Sequence, residues 1–121
     1  MSETFDPAAF VQRQLEAYNA HDADDFAAQY TDDVALYRLP ASEPFLQGNK
    51  PMRDHYATNR FTLPDLHAKV VNRMVIGNKV IDHEQVTGLP GGPVEVAAIY
   101  EVTPAGISKV WFLSGSVTGS S

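Results

Sequence analysis

Between Met74 and Val102 the chain writes three β runs separated by two turns, and this stretch constrains the fold more than any other. The runs are Met74-Val-Ile76, Val80-Ile-Asp-His-Glu-Gln-Val-Thr87 and Val94-Glu-Val-Ala-Ala-Ile-Tyr-Glu-Val102. Gly77-Asn78-Lys79 reads as a tight hairpin turn, because Gly and Asn tolerate the positive φ that such turns need. Gly88-Leu89-Pro90-Gly91-Gly92-Pro93 reads as a wider one. Strands joined this tightly must pair as antiparallel neighbours. The middle run carries Asp82, His83 and Glu84 side by side. Strands of a packed sheet are depleted in acidic residues, so this run is the first candidate for function.

The chain has 121 residues, enough for one domain with a real core, since 44% of them are hydrophobic. Its formal net charge of −6 argues against nucleic acid and against anionic membrane surfaces as partners. There is no cysteine, which removes disulfides, thiolate nucleophiles and thiolate metal sites. The opening Met-Ser-Glu-Thr-Phe-Asp-Pro has neither the basic nor the apolar region of a secretion signal, and no apolar run is long enough to span a membrane. The expectation is a cytoplasmic protein: a disordered start over residues 1–6, one domain over 7–114, and a flexible tail over 115–121.

Upstream of the meander the signals are helical. Asp6-Pro7 suits a helix start, and Ala8, Val11, Leu15 and Tyr18 recur at helical spacing, with Gln14 at the edge of their face. Asp22 caps a second, short helix running to Tyr30, with Phe26 and Tyr30 inward. Thr31-Asp32-Asp33 reads as a turn before a strand over 34–39, in which Val34, Leu36 and Arg38 share a face. Asn49 is placed to cap a third helix over 50–60 that turns Met52, His55 and Tyr56 inward. Residues 66–76 alternate as a half-buried strand, with Leu66, Ala68, Val70, Met74 and Ile76 on one face, and the run from Ile107 to Ser114 closes the chain. Helices followed by hairpins predict an α+β domain.

This order resembles the nuclear transport factor 2-like superfold, and within it the SnoaL-like and ketosteroid-isomerase-like proteins. The resemblance is carried by Val11 to Asp22, by Tyr30-Thr-Asp-Asp-Val34, by Ser42-Glu-Pro44 with Gly48, by His55-Tyr-Ala57, and by Ile99-Tyr-Glu-Val102 with Gly106 and Lys109-Val-Trp111. It covers residues 7 to 114 and implies a cone: three N-terminal helices on a curved antiparallel or mixed sheet that encloses a pocket. Ketosteroid isomerases keep a tyrosine donor in the first helix, an aspartate base in the first strand and a protonated aspartate in the fourth. The matching positions here are Gln14, Arg38 and Tyr100. Gln14 and Tyr100 can still donate to an oxyanion, but Arg38 cannot act as the base. The fold is therefore expected without the family's machinery. Tyr56 matches a pocket-lining tyrosine.

On a strand Asp82 and Glu84 share a face, and the resemblance turns that face into the cone. Two carboxylates roughly 7 Å apart in an apolar cavity do not both ionise cheaply, so one pKa should rise and supply a general base or acid. Arg38 would hold the other carboxylate or bind an anionic substrate. Two other arrangements stand beside this one: Arg38 pairing both acids in a purely structural network, and both acids facing out. Asp82, Glu84, Tyr100 and His55 are the candidate catalytic residues. Gln14, Tyr18, Arg38, Tyr56, Met74 and Trp111 are the candidate substrate contacts. His21 and His67 read as surface residues and His83 as an interface residue. No histidine spacing suits a metal, and no cofactor-binding fingerprint is present. Val71, Val75, Ile81, Ala97 and Ile99 would leave the outer sheet face apolar, rimmed by Lys69, Arg73, Glu95 and Glu101, which predicts a homodimer through the sheet.

The leading expectation is a cofactor-free acid–base enzyme, an isomerase or hydratase in type, acting on a small hydrophobic molecule. The rivals are a non-catalytic ligand binder and a dimerising partner-binding module. A carboxylate left unpaired beside a hydrogen-bond donor favours the enzyme. Acids all paired to Arg38 favour the binder, and a cavity filled by Trp111 and the tyrosines favours the third.

Overall fold

The structure, a computed structural model, describes residues 5–114. The expected disordered start and flexible tail lie outside the described residues, apart from Phe5 and Asp6. Three helices, α1 (Pro7–Asn19), α2 (Ala23–Ala27) and α3 (Asn49–Asn59), pack on a six-stranded sheet. Its strands are β1 (Tyr30–Arg38), β2 (Leu46–Gln47), β3 (His67–Ile76), β4 (Lys79–Thr87), β5 (Val94–Thr103) and β6 (Gly106–Ser114). Their order is β2-β1-β6-β5-β4-β3. The meander β3 to β6 is antiparallel throughout, while β1 joins it beside β6 in parallel, so the sheet is mixed. This is the expected α+β cone.

Local chemistry explains most of these elements. Asp6 caps α1 by accepting from the Ala8 amide at 3.2 Å, with Pro7 in the first turn. Asp22 caps α2 through the Asp25 amide at 3.0 Å. Two of these local expectations are overturned, at the start of β1 and at the start of α3. Residues Tyr30 to Asp33 are extended and begin β1, because Tyr30 pairs with Ile107 of β6. Asn49 is no cap: Gly48 holds that position at φ +97, a conformation that favours glycine. The Asn49 amide instead donates to the carbonyls of Ala27, Tyr30 and Thr31, fastening α3 to the start of β1.

The main core lies between helices and sheet, with Val11, Phe26, Leu36, Met52, Val80 and Val110 at its centre. His21 is more than a surface residue, since its Nε2 lies 2.9 Å from the Leu66 carbonyl oxygen. Beside it, Asn19 exchanges two hydrogen bonds with the backbone of Ala68, at 2.8 and 3.0 Å, and ties the end of α1 to β3.

The pairing of β3 with β4 is irregular at one point. Val70 pairs with Glu84, but Asn72 pairs with His83, so Val71 is an extra residue in β3. A bulge of this kind switches the face on which later side chains emerge. Beyond it, Arg73 and Val75 share the concave face with Asp82 and Val80, while Asn72, Met74 and Ile76 turn to the convex face. The uninterrupted alternation expected for residues 66–76 therefore breaks at its middle. Arg73 and Val75 are not on the outer face, and Met74 and Ile76 are.

Candidate active site

The concave face and the helices enclose a cavity of about 560 Å³. Its walls are mainly apolar, with Leu15, Phe26, Phe45, Val86 and Phe112 among them. Gln14, Tyr18, Arg38, His55, Tyr56, Glu84 and Tyr100, all expected at the site, line it together. The remaining expected residues lie elsewhere. Met74 is on the convex face and 47% exposed, a consequence of the bulge. Trp111 sits in register with Ile99 and Tyr37 and stacks on the Tyr37 ring at 5.7 Å, also away from the cavity. Asp82 shares the concave face but is wholly buried and does not line the cavity.

The two acids of β4 have separate fates. Asp82 accepts two bonds from one guanidinium, Arg73 Nε to Oδ1 at 2.7 Å and Arg73 Nη2 to Oδ2 at 2.9 Å. This forked pair is the strongest ion-pair geometry available to a carboxylate. Arg73 also donates to the Gln12 side chain at 3.0 Å. The cation expected beside the acids was Arg38; the bulge brings Arg73 there instead. Arg38 rests its guanidinium 3.8 Å over the Phe45 ring and takes no carboxylate partner among the described residues.

Glu84, 8% exposed, is hydrogen-bonded to a neutral group. The Tyr100 hydroxyl donates to its Oε2 at 3.3 Å. Gln14 Nε2 donates to the Tyr100 oxygen at 3.2 Å, and the Tyr30 hydroxyl donates to Gln14 Oε1 at 3.1 Å. A buried chain of donors from β1, α1 and β5 thus ends at one carboxyl oxygen. Burial, with the nearby Asp82 charge, pushes the Glu84 pKa up to about 7, although the Tyr100 bond and Arg73 pull it down. Burial, with the Glu84 charge, drives the Tyr100 pKa well above its ordinary value, so Tyr100 remains a hydroxyl and a donor. Burial similarly raises Tyr18, to about 12.

A second polar group stands across the cavity on α3 and just after it. Burial lowers the His55 pKa, and the charges of Arg60 and Arg38 lower it further. Arg60 was absent from the expected site, as were Arg73 and Tyr30. Arg60 follows the last turn of α3 and could have been found from the helical spacing of Tyr56 and Arg60. Nothing local marks Arg73, because only the bulge turns it inward. Among the described residues no group of three His, Cys, Asp or Glu side chains could hold a metal ion, and no helix is long and apolar enough to cross a membrane.

Comparison with known proteins agrees with this architecture. The family described as "SnoaL-like domain" matches residues 11–109. No curated protein matches the chain. Among solved structures, a protein of cystatin fold from Novosphingobium aromaticivorans superposes with a TM-score of 0.80 at 24% identity, covering 90% of this chain and 98% of that one. A nuclear transport factor 2-like protein of unknown function from Cytophaga hutchinsonii gives 0.77 at 10% identity, covering 94% of each chain. A candidate ketosteroid isomerase from Kribbella flavida also gives 0.77, at 18% identity, covering 92% of this chain and 78% of that one. At these identities the likeness is one of fold.

Proposed function

This chain belongs to the SnoaL-like domain family, and on that footing we propose that its cavity takes a small hydrophobic molecule and moves a proton on it through Glu84, without a cofactor. The observation that carries the reading is the setting of Glu84: a buried carboxyl in an apolar cavity, in no ion pair among the described residues, with a neutral donor against it at 3.3 Å, so that burial pushes its pKa up to about 7. A group poised near neutrality can both take and return a proton, which is the requirement for general acid–base catalysis.

The step follows from the hydrogen-bond directions. Ionised Glu84 removes a proton from the carbon that lies between a carbonyl and a carbon–carbon double bond, and the C–H electron pair moves toward the carbonyl oxygen to give a dienolate. Once protonated, Glu84 no longer needs the Tyr100 hydrogen bond. The Tyr100 hydroxyl, still supported by Gln14, is then free to donate to the dienolate oxygen. Glu84 returns the proton at a different carbon, so the double bond shifts and nothing else is consumed. A ketosteroid isomerase places its base on the first strand, where this chain has Arg38. In this reading the base has moved to β4.

The cavity is unfilled by Trp111, which stacks on Tyr37 instead, and its acids are not all held by Arg38. Both facts count against the partner-binding and purely binding alternatives. Carbon-detected NMR titration of the Glu84 carboxyl is the test. A midpoint near 7 supports the proposal; one at the ordinary glutamate value of 4.5 removes the base and the mechanism with it.

The convex face supports a companion proposal, that the protein pairs with a second copy of itself. Met74, Ile81, Ile99, Trp111 and Tyr37 fall in register across β3, β4, β5, β6 and β1, a continuous apolar row in place of the one expected through Val71 and Val75. Leu113, 52% exposed, extends it. His83, bonded at 2.6 Å to Glu95, stands at its edge. Rows of this kind on a sheet face are most often covered.

A further inference from the structure

We infer that Arg38, Arg60 and His55 form an anion seat at the mouth of the cavity, so that the molecule bound there is an apolar ring system bearing one carboxylate or a similar planar oxyanion. The inference rests on the cavity being a ligand site, as proposed above, but not on Glu84 being the base.

The chain is acidic overall, at −6. Arg53 is engaged by Asp24 and Asp54, and Arg73 by Asp82. Arg13, outside the cavity, bonds Gln29 and stacks on Phe10. Arg38 and Arg60 line one cavity, and neither has a carboxylate partner among the described residues. In a protein with acids to spare, two such guanidiniums beside an apolar cavity need an explanation. The end of α3 accounts for part of the placing of Arg60, since a cation is favourable there. It does not account for Arg38, which sits at the end of β1 on the concave face.

Geometry suits both groups to an anion. The Arg38 guanidinium carbon lies over the Phe45 ring, 3.8 Å from its centroid. A guanidinium carries its N–H donors in its own plane, and those of Arg38 stay available for a two-pronged contact with a carboxylate. Arg60 spends one donor on the Asn59 carbonyl, at 3.1 Å, and keeps the rest. His55 Nδ1 lies 3.2 Å from Asn59 Nδ2, which can only donate, so Nδ1 accepts and the imidazole proton belongs on Nε2 as a third donor. Across the cavity the deeply buried Glu84 would repel a negative group. The polarity is therefore set: anion at the mouth with the arginines, apolar rings against Phe26, Phe45 and Phe112, and the reacting carbon inward toward Glu84. This explains why the first-strand position carries a cation.

Calorimetric titration with 2-naphthoate and 2-naphthalenemethanol, at one pH and ionic strength, reads the seat directly. The two probes share their rings and differ in charge. The expected result is that the acid binds about tenfold more tightly than the alcohol, in line with the strength of charge-assisted bonds. Arg38→Gln and Arg60→Gln should each remove most of that preference, with a cooperative thermal unfolding transition by circular dichroism showing that each variant is folded. Equal binding of the two probes by the native protein overturns the seat and leaves the cavity reading intact. So does a preference that survives both substitutions. Failure of both probes to bind overturns the seat and the ligand cavity together. An ordinary Glu84 pKa with a preserved acid preference would overturn the proton-transfer step alone.

Discussion

Arg73 holds Asp82 by two bonds, 2.7 and 2.9 Å long, and Glu84, on the same strand face, has no ion-pair partner among the described residues. One guanidinium divides two chemically similar acids into a structural one and a poised one. Arg73→Met should strand the Asp82 charge in the interior. Removing one partner of a buried pair costs about 3–5 kcal/mol. Because the Arg73 side chain is 22% exposed, the low end, about 3 kcal/mol, is the expected loss. Urea unfolding checks it, and adding Asp82→Asn to Arg73→Met should recover part of the loss. An unchanged midpoint would mean that the pair contributes nothing.

The raised Glu84 pKa makes stability depend on pH in a particular direction. Between the ordinary value of 4.5 and about 7 the folded state holds a proton that the unfolded chain has released. Stability contributed by this group is therefore full below pH 4.5, declines as pH rises through that window, and is flat above 7. At 1.36 kcal/mol per unit the decline is at most about 3 kcal/mol. Glu84→Gln should abolish it. The difference between native and Glu84→Gln unfolding free energies, measured from pH 5 to 8, isolates the effect from His55, whose lowered pKa works in the opposite sense at the acid end. A difference that does not vary with pH would contradict the burial argument.

Tyr100→Phe removes the one hydrogen bond that favours ionised Glu84, so the Glu84 pKa should rise further. It also leaves the Gln14 amide donor without its buried acceptor, at a cost of about 1–3 kcal/mol. In the proposed mechanism the same change lowers the rate of α-proton exchange in D2O, measured by proton NMR on bicyclic ketones, about a hundredfold, in the range for loss of one oxyanion donor. An unchanged exchange rate would remove Tyr100 from the mechanism.

Ile99 lies at the middle of the convex row, paired with Ile81 and Trp111. Ile99→Glu places a charge in that row without entering the cavity. Sedimentation velocity should show a dimer for the native protein and a monomer for the variant. Native protein that sediments as a monomer at high concentration would refute the pairing.

Much of this protein is written locally. The helix starts at Asp6-Pro7 and Asp22, the hairpin at Gly77-Asn78, and the alternation of Val80 to Thr87 each follow from the conformational preferences of a few adjacent residues. That is enough for an α+β meander, and the resemblance to the superfold is what pointed Tyr56, Gln14 and Tyr100 to the pocket. Two carboxylates two residues apart on a strand were bound to share a face, but whether that face met the cavity or the solvent was open in the sequence. Which of the two would be paired was decided in three dimensions. The extra residue at Val71 changes the face of β3 and carries Arg73, nine residues from Asp82 in the chain, onto that acid. The same turn of the strand sends Met74 outward. No propensity of Val71 marks it as a bulge, because the bulge exists only in the register between two strands. Which charges meet across that register, and so which carboxyl is left outside an ion pair, belongs to the tertiary structure.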